Sequence, residues 1–220
     1  MEKAFARDEA IRFGWRAVRA NAGFFAAYLG LWLVADLVFR GIELGLRQSA
    51  TVPGASFGFA IGLIGRMLSA VIGMGLIAGI LKICDGQRPS VADLFLRLPN
   101  FWRFFGTSLL AGLIVIGGTL LLIVPGIVLG LKYCLAPYAS LDERLLPRAA
   151  LRRSAELTHG VKDQLLVFLL VLSGLNLLGL LCLVVGVLVT GPVSAVAFVY
   201  AYRRLVARHA AGSPAPIAAS

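Results

Sequence analysis

The sequence predicts an all-α polytopic membrane protein, with six transmembrane helices in three hairpins and a short amphipathic cytoplasmic helix before each hairpin. Three observations carry that prediction. Hydrophobic residues make up 59% of the 220-residue chain and charged residues 15%, whereas about a quarter of a soluble domain is charged. Several runs are uncharged, or nearly so, over close to or more than the roughly 20 residues that cross a bilayer core. The charged residues cluster between those runs, most densely from Asp142 to Asp163 (DERLLPRAALRRSAELTHGVKD). Six spans use more than half of the chain. This leaves one membrane domain, residues 1–206, in hairpin units at about 5–84, 90–141 and 147–205, and a small-residue tail over 207–220 that is expected to be disordered.

The first element is a surface helix over residues 5 to 20, with an apolar stripe of Ile11, Trp15 and Val18 and a basic stripe of Arg12, Arg16 and Arg19. Asp8 precedes Arg12 by four residues, the favourable order for a helical ion pair. Its mixed charge argues against a cleavable signal peptide, so the apolar segment after it reads as a retained span. Span 1 covers about Ala22 to Arg40, with Asp36 placed to pair with Arg40, and Glu43 and Arg47 repeat that spacing. Ser49 to Ser56, containing Pro53-Gly54, reads as a turn. Phe57 to Ile64 belongs at the outer interface or starts a long second helix, and span 2 follows from about Gly65 to Cys84. Asp85-Gly86 ends that hairpin.

Ser90 caps a second surface helix over residues 90 to 99. From Phe104 to Leu141 the only charge is Lys132, so spans 3 and 4 reverse near the middle of the run. The glycine pair Gly117-Gly118 is the expected turn, with Pro125 kinking span 4; a reversal nearer Pro125 is the alternative. Pro147 suits the first turn of the third surface helix. Ala150, Leu151, Ser154, Leu157 and Thr158 recur on one helical face, and Gly160 is a natural stop. The uncharged run from Gln164 to Tyr202 holds spans 5 and 6, with Gly186 as turn and Pro192 as kink.

The order surface helix, span, turn, span, basic stop occurs three times, which suggests a threefold internal repeat. Residues 10–21 align with 150–161, and Leu81-Lys82-Ile83-Cys84 with Leu131-Lys132-Tyr133-Cys134. On this topology seventeen Lys and Arg fall on the side of both termini and three on the other. The positive-inside rule then puts both termini in the cytoplasm of a bacterial inner membrane. The net charge of +10 is therefore assigned to anionic lipid headgroups rather than nucleic acid. Cys84, Cys134 and Cys182 are widely spaced, so no disulfide framework or metal site is expected, and no cofactor is implied.

Lys132, inside span 4 and beside Tyr133, is the leading candidate for contact with a lipid phosphate or anionic substrate. Arg148, Arg152 and Arg153 on the adjoining surface helix complete that candidate site. Snorkelling of Lys132 to the inner headgroups is the competing explanation. Asn176 in span 5 and Asp36 in span 1 are the intramembrane polar groups, expected to serve interhelical hydrogen bonding and the Arg40 ion pair. Paired small residues at Gly58 and Gly62, Gly75 and Gly79, and Gly126 and Gly130 mark close helix packing, within the chain or between chains of a homo-oligomer or another membrane protein. Cys84, Asp85, Asp142 and His159 share no spacing motif, and no P-loop, HExxH or GxSxG is present. No enzyme activity is expected.

Pro125-Gly126, Pro137-Tyr138, Asp142-Glu143, Pro147, Ala150, Ser154 and Gly160 together resemble a superfamily of uncharacterised bacterial inner-membrane proteins. That superfamily is related to the membrane domains fused to some glycerophosphoryl diester phosphodiesterases. The resemblance covers roughly the second half of the chain, with an echo at Gly14-Trp15 and Asn21. It implies a multi-span helical fold and no known reaction. The chain has no room for the soluble phosphodiesterase domain. The expected role is a non-enzymatic membrane component that contacts anionic lipid or a membrane partner, and the alternative is a small permease or lipid-handling transporter.

Overall fold

A computed structural model of the protein describes residues 7–48, 52–90, 100–181 and 185–212. The described residues are almost entirely helical and contain no strand. The helices are α1 (Arg7–Ala20), α2 (Ala22–Gln48), α3 (Val52–Cys84), α4 (Phe101–Leu121), α5 (Ile123–Tyr133), α6 (Ala136–Asp142), α7 (Pro147–Leu157), α8 (Lys162–Leu181) and α9 (Val185–Gly212). Among the described residues, five stretches are long and apolar enough to cross a bilayer: Ala22–Leu46, Phe57–Cys84, Phe101–Leu121, Val124–Asp142 and Lys162–Leu181. The chain is a membrane protein. The expected second surface helix and Cys182 lie outside the described residues.

The chain forms two compact units, residues 21–101 and residues 1–20 with 102–220. In the first, α2 and α3 pack antiparallel, and glycines on α3 make the approach possible. A Cβ on Gly65 would stand 2.7 Å from the Phe39 Cβ, and one on Gly62 would stand 2.7 Å from the Glu43 carboxylate. The predicted Asp36–Arg40 pair forms at 2.8 Å. Pro53-Gly54 does not make a turn. It lies in the first turn of α3, where a proline's missing N–H goes unnoticed. The helix therefore runs 33 residues, about 50 Å. It ends as expected at Asp85-Gly86: Gly86 takes φ +73°, and the Gln87 amide donates to the Lys82 carbonyl at 2.8 Å.

In the second unit, the reversal between α4 and α5 is not at Gly117-Gly118. The helix continues through both glycines to Leu121, and Leu122 is the extended residue, at φ −165° and ψ 145°. A glycine inside a helix costs only about 1 kcal/mol. Pro125 sits in the first turn of α5, where a proline is tolerated, and does not kink the helix further along. Gly118 and Gly126 serve packing instead, while Gly117 faces open space: a Cβ on Gly118 would press on Leu129, and one on Gly126 would overlap Thr119. The reversal between α8 and α9 likewise falls between Leu181 and Val185. Gly186 is in the first turn of α9, against the Gly179 backbone. Pro192 lies within α9. That helix also runs through residues 207–212, part of the expected tail, because an alanine-rich stretch extends a helix cheaply; the rest of the tail lies outside the described residues.

The core of this unit sits at one end. Leu135, just before α6, Ala136, Ala139 and Leu141 of α6, Leu165 and Phe168 of α8, and Val196, Val199 and Tyr202 of α9 are fully or almost fully buried. The other end carries the exposed apolar side chains, from Leu109 to Leu121 on α4, Leu122 to Val128 across the turn into α5, Val167 to Leu181 on α8, and Leu188 and Val189 on α9. Trp15 and Trp102 are also exposed. Burying that apolar surface in lipid rather than water is the physical reason for membrane residence.

Candidate functional site

The segment from Lys132 to Val161 is held by side chains that bond to backbone. Pro147 opens α7, with Leu146 extended before it. Ala150, Leu151, Ser154, Leu157 and Thr158, the face predicted from spacing, are all buried. Gly160 closes the element at φ +75°, a conformation that costs glycine nothing. The face packs on protein rather than on lipid. Ser154 Oγ donates to the Lys132 carbonyl at 2.8 Å, and Thr158 Oγ1 donates to the Ser154 carbonyl at 2.9 Å. These bonds satisfy hydroxyls that would otherwise be costly to bury. The expectation that this helix rests its apolar face on the membrane is corrected accordingly.

Lys132 therefore meets α7 through its carbonyl, and its amine lies 5.4 Å from the centre of the Tyr133 ring, within cation–π range. Tyr133 packs beside the cluster of Ala111, Ala136 and Leu151, so its ring is partly core. Arg153 is engaged with Glu143 at 3.1 Å and Glu156 at 3.7 Å. Arg148 and Arg152 are exposed. The structure thus joins Lys132 to the Tyr133 ring and, through its own carbonyl, to the Ser154 hydroxyl of α7, while Arg153 is directed to carboxylates.

Spacing could not reveal the polar cluster at Asp142. Its carboxylate accepts from Tyr202 Oη at 3.1 Å and from Arg203 Nη1 at 2.8 Å, across about sixty residues of chain. Nearby, Thr107 Oγ1 donates to Ser140 Oγ at 3.2 Å, and Ser140 Oγ donates to the Leu145 carbonyl at 3.2 Å. Arg144 takes a positive φ of 53°, and its carbonyl accepts from Arg103 at 3.0 Å. These contacts hold α6 and the loop before α7 in place. They aim no nucleophile at a base.

Asn176 makes the expected interhelical bond. Its Nδ2 donates to Ser194 Oγ on α9 at 3.0 Å and to the Leu172 carbonyl at 3.0 Å. Its Oδ1 is buried without a partner among the described residues. It borders an open groove of about 330 Å³, together with Cys134, Tyr138, Ser173 and Ser194. In the other unit, Asp36, Arg40, Glu43 and Arg66 line a cleft of about 460 Å³ between α2 and α3. Among the described residues no cluster of His, Cys, Asp or Glu could hold a metal ion.

Helix α1 departs from its predicted face. The buried positions are Ala10, Gly14 and Ala17, while Ile11 and Val18 are half-buried and Trp15 is 47% exposed. The small residues turn inward because α1 lies close along α9, antiparallel to it: a Cβ on Gly14 would come 2.7 Å from the Val193 carbonyl oxygen. Glu9, not Asp8, makes the ion pair. It accepts from Tyr200 Oη at 2.7 Å and Arg204 Nη2 at 2.9 Å, and Phe13 stacks on Tyr200 with centroids 4.6 Å apart. The Tyr200 hydrogen bond, with help from Arg204 and against some desolvation, holds the Glu9 carboxyl below its ordinary range. A small-xxx-small stripe at Ala10, Gly14 and Ala17 was the available sequence signal.

No family model and no solved structure matches the chain. Over 132 residues, 60% of its length, it is 31% identical to the uncharacterized protein Rv2560 of Mycobacterium tuberculosis. It matches the uncharacterized protein Mb2590 of Mycobacterium bovis at the same identity and coverage. The matched region is 40% of each relative, so the chain corresponds to well under half of their length.

Proposed function

We propose that the protein is a non-enzymatic bacterial inner-membrane component that holds anionic lipid headgroups at its cytoplasmic face. In this reading α9 supplies the sixth span, the three hairpins form one membrane domain with both termini inside, and the resemblance to the phosphodiesterase-linked membrane superfamily is one of membrane architecture alone. The observation that carries it is the division of the second unit. Its exposed apolar surface gives way to a zone where Trp15, Trp102, Arg148 and Arg152 are exposed, the residue types that favour headgroup level. Lys132, stacked on Tyr133, would reach that level by snorkelling.

Native mass spectrometry in gentle detergent tests the proposal. Wild type should retain anionic phospholipid, and the Lys132→Leu/Arg148→Gln/Arg152→Gln variant should retain less at unchanged thermal stability. Wild type stripped of anionic lipid under conditions that preserve the fold would defeat the proposal. The permease alternative draws on the groove bordered by Ser173, Asn176 and Ser194, which places polar side chains within the spans. It requires Asn176→Leu to block uptake into proteoliposomes while leaving lipid retention unchanged.

A further inference from the structure

The cleft of about 460 Å³ between α2 and α3 is in the range of roughly 300–1,000 Å³ usual for small-molecule sites. Trp32 and Phe39 line it with rings, Asp36 and Glu43 with carboxylates, and Arg40 and Arg66 with guanidiniums. Both helices give its depth. Arg40 stands eighteen residues after Ala22, and Arg66 eighteen before Cys84, about 27 Å along each axis. Trp32 lies about 15 Å along α2, and Glu43 about 32 Å. The hydrocarbon core is about 30 Å thick, so Arg66 and Glu43 reach the headgroups of the leaflet farther from Ala22 and Cys84. The two helices agree in register, since the Glu43 carboxylate rests against Gly62 and the Phe39 ring against Gly65. Asp36 is neutralised by Arg40 at 2.8 Å. Arg66 is exposed and is in no ion pair or hydrogen bond with another described residue.

We infer that this cleft holds a zwitterionic phospholipid with a primary ammonium, of the phosphatidylethanolamine class, with its phosphate on Arg66 and its ammonium on Glu43. The order of groups along the membrane normal is the order within that ligand. The Trp32 ring is deepest, level with acyl chain; the Arg66 guanidinium comes next, and the Glu43 carboxylate is outermost. A guanidinium is the side chain best suited to phosphate. An ammonium donates three hydrogen bonds, and an ionised carboxylate offers about four acceptor sites, so Glu43 accepts from the ligand in addition to its contacts within the chain. The two carboxylates and two guanidiniums sum to zero charge, as the headgroup does. A phosphatidylglycerol would set its phosphate near Glu43 with no cation of its own to offset the repulsion. A choline headgroup has no N–H to donate. A soluble zwitterion would leave the apolar inner end of the cleft, at Trp32 and Phe39, empty. Gly62 and Gly65 create the site: they admit the Glu43 carboxylate and the Phe39 ring to the surface of α3, one helical turn from Arg66 and beside it.

This site needs only that α2 and α3 cross the bilayer, and it is independent of Lys132. The full chain, delipidated in gentle detergent, is given equal amounts of phosphatidylethanolamine, phosphatidylcholine and phosphatidylglycerol with the same acyl chains. Native mass spectrometry then reads what stays bound. Phosphatidylethanolamine should be retained about tenfold over phosphatidylcholine, the effect of one charge-assisted hydrogen bond. Glu43→Gln should bring those two lipids to parity, whereas Arg66→Gln should lower both. Ser69→Phe, which fills the cleft from α3, should remove both while every charge remains. Equal retention of the two lipids by wild type would overturn the inference. So would phosphatidylethanolamine retention that is unchanged in Arg66→Gln, a variant that loses no contact within the described chain and so decides the matter even if Glu43→Gln unfolds the hairpin. Soluble phosphoethanolamine should displace the lipid only at far higher concentration; displacement at equal concentration would make the free zwitterion the ligand and defeat the lipid assignment. The Lys132→Leu/Arg148→Gln/Arg152→Gln variant should retain phosphatidylethanolamine as wild type does, and its loss there would put that lipid at the other face and overturn the cleft site.

Discussion

Helices α1 and α7 share an amphipathic pattern and opposite fates. Residues 10–21 and 150–161 align in sequence, and both helices present arginines beside an apolar stripe. In α7 the stripe predicted from spacing is buried entirely, down to the hydroxyl of Ser154. In α1 the large apolar residues stand at the margin, and Ala10, Gly14 and Ala17 go inward. The difference lies in the partner surface. α7 covers short elements whose side chains leave room for Leu151 and Leu157. α1 lies along one long helix so closely that a backbone carbonyl occupies the space a side chain would need. Hydrophobicity finds the inward face only where the neighbours stand far enough apart to admit large side chains; at closer range, size finds it.

Truncating the large apolar residues should separate the two cases most. Leu157→Ala removes a side chain that is 4% exposed and should cost roughly 2–4 kcal/mol. Ile11→Ala, half-buried at the margin of α1, should cost less than about 1 kcal/mol. Thermal unfolding in detergent reads both, and equal losses would erase the distinction. Enlarging a small residue should invert the ranking between helices. Gly14→Leu drives a side chain into the Val193 carbonyl and should cost about 2 kcal/mol, with faster amide exchange across residues 8–20. Ala149→Leu on the exposed side of α7 should change neither. Undisturbed exchange in Gly14→Leu would mean that the α1–α9 approach is not tight.

The smallest effect is a pH dependence that only α1 should show. The Glu9 carboxyl is held low in the folded state, so its contribution is present above the ordinary glutamate pKa of about 4.3. It is lost as pH falls through the lower folded value. Because the Glu9 side chain is half-exposed, the loss should appear as local fraying of α1 rather than as unfolding. Below about pH 4, amide exchange in residues 8–20 should accelerate relative to α7. Glu9→Gln should flatten that response, and an unchanged response in the variant would assign it to another group.

What the sequence made legible follows from the range of each interaction. Pro147, Gly86 and Gly160 act within a turn of themselves, and their roles were readable from local order. The buried face of α7 is a periodic property, and it too was readable. Gly117 and Gly118 misled because a glycine that permits a turn and one that permits close packing are the same letter; only the Leu129 side chain against Gly118 shows that this one serves packing. Leu122, which does reverse the chain, carries no turn chemistry at all. Lys132 attracted notice by its charge, yet its carbonyl is the atom that α7 grips. The Asp142–Tyr202–Arg203 cluster and the Glu9–Arg204 pair join residues about 60 and 195 positions apart, beyond the reach of any local spacing.

The docking of α1 on α9 also sets an order in time. Glu9 waits for Tyr200, its partner 191 residues later, so α1 leaves the ribosome long before its own binding surface has been made. Until then its small-residue face has no α9 to cover it. The contact cannot form before residues 200–204 have been synthesised, since Tyr200 and Arg204 are the partners of Glu9. A chain stopped at residue 192 could already hold α8 and the start of α9 in a bilayer, yet it would lack the surface that receives Gly14. The α1–α9 contact therefore registers whether α9 has arrived, and no shorter chain can make it.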